Sequence, residues 1–212
     1  MAKTKSKKKP VDVILDSVKR ALSPIPFWIA YKRECYWHHE LTEGAIVGEF
    51  RDTLSGAMRW PATVNCEVEY SVLKGHGRLK RMKGKDRADF AIRNGETGAY
   101  LAVIEVKRGD SISKVCKADL KALHSLQAAN PSIRKFFVLV SEAGRPDQLI
   151  TKTGRARRVL DIEGVPDALV VRRVCRAVGT AALTDPESKS PKKKSSSTHY
   201  AVLLEVDAPE GL

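Results

Sequence analysis

The stretch 87–108, RADFAIRNGETGAYLAVIEVKR, constrains the fold more than any other part of this chain. Two runs rich in alanine, phenylalanine, isoleucine and valine flank Asn94-Gly95, a dipeptide suited to a hairpin turn because both residues tolerate left-handed backbone. Two adjacent strands, roughly 87–93 and 99–107, are therefore predicted. Each carries an acid where a buried strand has little use for one: Asp89 in the first and Glu105 in the second, with Lys107 two residues on. Alternation puts Leu101, Val103, Glu105 and Lys107 on one side of the second strand and Ala102, Ile104, Val106 and Arg108 on the other. Glu105 and Lys107 then share a face about 7 Å apart. A turn over 94–98 lets positions 89 and 105 fall nearly opposite one another.

The flanking text sets this hairpin in a mixed sheet. Residues 11–23 place Val11, Ile14, Leu15, Val18 and Leu22 at helical spacing, and Pro24 and Pro26 break that pattern. A second helix is predicted over 40–54, with Leu41, Ala45, Ile46, Phe50 and Leu54 as its stripe. Residues 63–73 switch to period two, with Val64, Cys66, Val68, Tyr70 and Val72 facing one way. A long helix follows over 111–130, capped by Ser111 or Ser113, with Val115, Leu120, Leu123 and Leu126 on its apolar face. A buried strand follows at 135–142. Residues 165–183 suit either a helix or, by their valine pairs, a strand. The expected organisation is a basic disordered arm at 1–10, one domain over 11–183, a mobile Ser/Lys/Pro linker at 184–198, and a last stretch, 199–212, whose strand joins the sheet edge. The class is α/β, a mixed central sheet flanked by helices.

Charge narrows the partner. The 212 residues carry 38 Lys+Arg against 25 Asp+Glu, net +13. The arm holds five lysines without an acid, yet the body remains basic when both tails are set aside. A polyanion is the natural partner, nucleic acid ahead of an anionic membrane. No stretch approaches the roughly 18 apolar residues that span a bilayer, and no signal peptide is evident, so an intracellular, cytoplasmic protein is expected, nuclear if the source is eukaryotic. Cys35, Cys66, Cys116 and Cys175 form no CxxC pair and read as buried free thiols. Cys35, His38 and His39 could ligate zinc, but no second ligand pair follows.

Two carboxylates side by side among apolar neighbours repel and are costly to desolvate unless a cation holds them. Mg²⁺ takes one or two carboxylates and keeps waters for a phosphate substrate. Asp89, Glu105 and Lys107 on a basic protein thus suggest phosphodiester hydrolysis, with the lysine orienting water or neutralising developing charge. DNA contacts are expected from Lys80, Arg81, Lys83, Lys85 and Arg87 before the first acidic strand, and from Arg108 and Lys114 after the second. The run TKTGRARR (151–158) is a second basic patch. The bland alternative is a surface hairpin with Glu105 and Lys107 solvated, or Asp89 paired with Lys107.

RADFAI and AVIEVKRG resemble the signature of the PD-(D/E)XK nuclease superfamily, an acid on one strand followed by (D/E)-X-K on the next. Asp89 matches the first acid and Glu105-Val106-Lys107 the second half; Ala88 stands where the name has proline. The wording is most similar to nuclease domains of type I restriction motor subunits and related phage and bacterial nucleases. The resemblance covers about 40–142 and implies a restriction-endonuclease-like αβββαβ core. It also implies Mg²⁺, with Mn²⁺ able to substitute, held by Asp89 and Glu105 and completed by the Val106 carbonyl, with Lys107 catalytic. A first-helix glutamate often joins such sites: Glu49 is the first choice, then Glu40, then Glu69 on the first strand. A homodimer would supply two sites for two strands. Two rival readings are a non-catalytic nucleic-acid-binding, accessory or inhibitor protein that keeps the fold, and a structure-selective junction resolvase.

Overall fold

Strand β4 (Arg134–Ser141) is buried at every position, and β3 (Tyr100–Arg108) at its five central ones. A strand covered on both faces needs apolar residues without alternation, so both read as continuous hydrophobic runs. The computed structural model describes residues 10–35, 41–73, 87–142, 144–157, 160, 169–180 and 196–206. In chain order the other elements are α1 (Pro10–Leu22), α2 (Ile25–Cys35), α3 (Glu43–Ala57), β1 (Ala62–Glu69), the short α4 (Tyr70–Leu73), β2 (Arg87–Asn94), α5 (Lys114–Ala129), β5 (Leu169–Thr180) and β6 (Ser196–Val206). The sheet runs β1-β2-β3-β4-β6-β5; β3 and β4 are parallel and every other pair is antiparallel. This is a mixed six-stranded α/β sheet flanked by helices.

Each face of the sheet has its own core. Ile14, Val18 and Leu22 of α1, Ile25 and Ile29 of α2, and Ile46, Phe50 and Leu54 of α3 pack on Phe90, Ile104, Val106, Phe136 and Leu203. On the opposite face Cys116, Leu120, Leu123 and Leu126 of α5 cover Ala91, Val103, Phe137, Leu139 and Val202, joined by Tyr70 and Leu73 of α4. Ser113 caps α5 by accepting from the Cys116 amide, as its position predicts.

Several expectations need correction. The helical pattern breaks before Pro24 as expected, α1 ending at Leu22, but a second helix that was not expected, α2, starts at once, with Pro26 in its first turn, where a missing N–H leaves no bond unmade. The first alternating strand stops at Glu69, because Tyr70–Leu73 coil into α4 and bury Tyr70 and Leu73 while Val72 is exposed. On α5 it is Cys116 that faces the core, with Val115 exposed. Of the two readings left open for 165–183, residues 169–180 take the strand. The last strand starts at Ser196, inside the stretch read as linker, and lies between β4 and β5 rather than at the edge; eight of its residues are buried, which an edge position would not require. Residues 1–9, 184–195 and 207–212 lie outside the described residues. In the hairpin turn, left-handed backbone falls at Gly98 (φ 75°), not at Gly95, since Asn94 Oδ1 accepts from the Glu96 and Thr97 amides and lengthens the loop. Cys116 and Cys175 are buried free thiols, whereas Cys35 and Cys66 are exposed.

Helix α2 presses on the sheet at Gly179 of β5, where an added Cβ would stand 2.6 Å from Ala30 Cβ and 2.9 Å from Ala30 Cα. Gly179→Ala is therefore expected to remove about 1–3 kcal/mol by overpacking, read as a lower urea midpoint at unchanged slope. An unchanged midpoint would show that this approach is loose.

Candidate active site

The β2–β3 ladder pairs Phe90 with Ile104, Ala91 with Val103 and Ile92 with Ala102. One step further, the same register sets Asp89 across from Glu105, as the turn spacing predicts. There the backbone ladder gives way to a side chain: the Val106 amide donates to Asp89 Oδ2 at 2.7 Å. Because Val103 faces the α5 side and Ile104 and Val106 the other, alternation carries Glu105 and Lys107 to the α5 side together.

Glu105 is 3% exposed. The Tyr70 hydroxyl donates to its Oε1 at 2.6 Å. Burial first, and Asp89 second, push the Glu105 carboxyl up to about 9, against the Tyr70 bond and the Lys107 charge. Burial also raises Asp89, against the Val106 amide, Lys107 and a hydrogen bond from Glu105. A neutral Glu105 thus accepts from Tyr70 and donates to Asp89. Tyr70 itself is held far above the ordinary phenol range by burial and then by Glu105.

Lys107 stands between two further acids. Its Nζ lies 3.1 Å from Glu43 Oε1 and 3.6 Å from Asp119 Oδ2. Burial works against this ammonium, yet Asp119, Asp89 and Glu43 together hold it above the usual lysine range. Burial raises Asp119, with Lys107 opposing. Glu43 reaches the strand end because α3 begins there: Thr42 accepts from the Ala45 amide as N-cap, and Glu43 follows in the first turn. Its second oxygen accepts the Arg108 amide at 3.3 Å.

The residues expected from sequence divide into three groups. Asp89, Glu105 and Lys107 come together, and Val106 contributes its amide to Asp89. Glu49 stands elsewhere on α3, beside Asp52 and Lys32, with its carboxyl raised chiefly by burial; the α3 acid that reaches Lys107 is Glu43. Glu69 is exposed on the edge strand, 3.6 Å from Arg87. Arg108 points to the opposite face, its Nε donating to Glu142 Oε1 at 2.6 Å, and Glu142 also pairs with Arg33. Lys114 opens α5 and is exposed, as is His124. Lys80, Arg81, Lys83, Lys85, Glu40, His38 and His39 lie outside the described residues.

Sequence reading passed over Glu43, Tyr70 and Asp119. Asp119 carried a signal: it falls three residues after Cys116 and four before Leu123, on the buried stripe of α5. Glu43 was marked by its place one residue after a threonine cap. Tyr70 was hidden by an alternation that reads straight through it.

Among the described residues no three His, Cys, Asp or Glu side chains stand close enough to make a metal shell by themselves. The facing pair Asp89 and Glu105 offers two hard oxygen donors, which suits an ion such as Mg²⁺ that fills its remaining positions with water. Comparison with protein-family models, with curated proteins and with solved structures finds no match to the chain.

The buried pair has a pH signature. Folded, Glu105 keeps its proton to about 9; unfolded, it releases it near 4.5. Between those values the folded chain binds the extra proton, so stability falls as pH rises. The contribution is complete below about 4.5 and lost above about 9. Under chelation, wild type should lose stability relative to Glu105→Gln by up to about 1.4 kcal/mol per pH unit across this window. Urea melts of both proteins at pH 5, 7 and 9 measure it, and parallel curves would mean that Glu105 is ionised in the folded chain.

Proposed function

We propose that this protein is a metal-dependent nuclease that hydrolyses phosphodiester bonds in DNA. One observation carries the reading: two carboxyls facing each other across neighbouring strands, with a lysine on the same side of the sheet held between two further acids. The order α3, β1, β2, β3, α5, β4, with the four-residue α4 inserted after β1, supports it, because it follows the αβββαβ sequence which the PD-(D/E)XK resemblance implies.

Asp89 and Glu105 would hold the metal, the Val106 amide keeping Asp89 in place and the Tyr70 hydroxyl keeping Glu105 in place. A bound Mg²⁺ or Mn²⁺ supplies a Lewis acid and a water of lowered pKa. At neutral pH the doubly ionised pair needs a cation to offset the burial and the Asp89 charge that raise Glu105. Lys107, held charged by Glu43 and Asp119, acts as a fixed cation facing the phosphate and does not take up the proton of the attacking water. Glu43 and Asp119 orient the ammonium rather than the substrate.

A second reading is a nucleic-acid-binding protein that keeps this fold without cutting. The occupied state of Lys107 favours it, as does the finding that among the described residues no three His, Cys, Asp or Glu side chains make a metal shell by themselves.

Incubation of plasmid, junction, flap and single-stranded substrates with Mg²⁺ or Mn²⁺ tests both. Cleavage by wild type is expected, with losses of at least about 100-fold for Asp89→Asn, Glu105→Gln and Lys107→Ala. Glu43→Gln should lose more than Glu49→Gln. Tight DNA binding without cleavage under any metal would establish the second reading, and preference for junctions would mark a resolvase.

A further inference from the structure

The cluster around Lys107 is acidic: Glu43, Asp89, Glu105 and Asp119 surround one ammonium. A polyanion approaching it needs cations close by, and Arg108 is turned to the other face of the sheet and paired with Glu142. Residues 144–157, which follow β4, carry exposed cations, and the tip at Gly154 lies by Arg176 of the edge strand β5.

From Leu149 to Arg157 the chain forms a short braced finger. Ile150 and Ala156 make a β-bridge. The Thr151 amide donates to the Arg155 carbonyl at 2.8 Å, and the Arg157 amide to the Leu149 carbonyl at 2.9 Å. Gly154 turns the tip with φ 78°. Arg145 Nη1 donates to the Lys152 carbonyl at 3.3 Å, and Arg157 Nε to the Asp147 carbonyl at 2.8 Å, so two guanidinium groups strap the base. Residues 151–157 hold Lys152, Arg155 and Arg157 and no acid, and all three cations are exposed.

Its root fixes its location. Leu149 and Ile150 are wholly buried in the core under α5, the side that holds Glu105 and Lys107. Gln148 Oε1 accepts the Ile112 amide at 2.8 Å, tying the finger to the loop that leaves the Lys107 strand. A preformed basic hairpin loses little conformational entropy when it binds, and cations on such an element give affinity through released counterions.

We propose that the 149–157 finger is a phosphate-backbone contact for double-stranded DNA, holding the duplex on the α5 side of the sheet. It deepens the nuclease reading and rests on it for the duplex as substrate, but it makes a separate claim about binding.

The test is fluorescence anisotropy of a labelled duplex in chelator, over a salt series. The Lys152→Ala/Arg155→Ala/Arg157→Ala variant should bind at least about tenfold more weakly at ~100 mM salt, and its slope of log K against log salt should fall by about 2.7. Arg51→Ala/Arg59→Ala/Arg93→Ala removes equal charge from other exposed positions and should stay within about threefold of wild type. Gly154→Val keeps every charge but forces a branched side chain to φ 78°, and should weaken binding by an intermediate factor. Urea melts establish that each variant is folded. Equal losses in the two triple variants would reduce the effect to bulk charge and overturn the proposal. So would an unchanged finger variant, or wild-type binding to phosphatidylserine vesicles but not to duplex. The finger variant leaves Asp89, Glu105 and Lys107 in place, so duplex binding without cleavage under any metal would fail the nuclease reading alone, and an unchanged finger variant would fail the finger alone.

Discussion

The structure turns on the place where the β2–β3 ladder stops being a ladder. At Asp89 the acceptor for a strand amide is a carboxylate instead of a carbonyl, and the residue across from it is a second carboxyl with almost no exposure. Such a pair sits among apolar neighbours only if something offsets its repulsion. In this chain that is a proton on Glu105, a phenol behind it and an ammonium beside it. The surrounding elements are arranged accordingly: α4 brings the phenol, α3 begins where its first acid can reach Lys107, and α5 contributes Asp119 from its buried stripe.

This arrangement separates two tasks on the two sides of one strand. Alternation along β3 sends Glu105 and Lys107 toward α5 and sends Arg108 the other way, into the buried Glu142–Arg33 network. Glu43 touches both sides, bonding the Lys107 side chain with one oxygen and the Arg108 amide with the other. The polar network beneath the helices thereby fixes the end of β3 on which the acid cluster is built. The fully buried guanidinium of Arg33 demands such a partner, since removing Glu142 would leave a desolvated charge.

Much of this was legible in the residues. The hairpin, its facing acids and the shared side of Glu105 and Lys107 follow from a period of two and a turn dipeptide, both of which act over a few residues. The long helix was legible from its stripe and its serine cap. What was not legible depends on tertiary packing. Nothing local says that Tyr70 leaves the strand pattern, because Val68, Tyr70 and Val72 alternate as well as a strand would; the turn into α4 is set by the core that receives Tyr70 and Leu73. Glu49 was ranked ahead of Glu40 and Glu69 for its mid-helix position and Glu43 was passed over, whereas α3 directs its first turn, not its middle, at the strand end. Pro24 and Pro26 rightly marked the break after α1, but the same residue type also starts helices, and α2 went unread. The inner position of β6 is a property of the whole sheet.

That inner position bears on how the chain reaches its native state. Strand β4 has β3 on one side and β6 on the other, and β6 lies some sixty residues further on. Helices α1 and α2 rest against β5 and β6, and Arg173 donates to Ser23 across 150 residues of sequence. During synthesis the first two helices and the Asp89–Glu105 hairpin emerge well before the strands that cover them. Contacts this distant in sequence are made only once residue 206 is available, and a sheet built on them is expected to fold slowly.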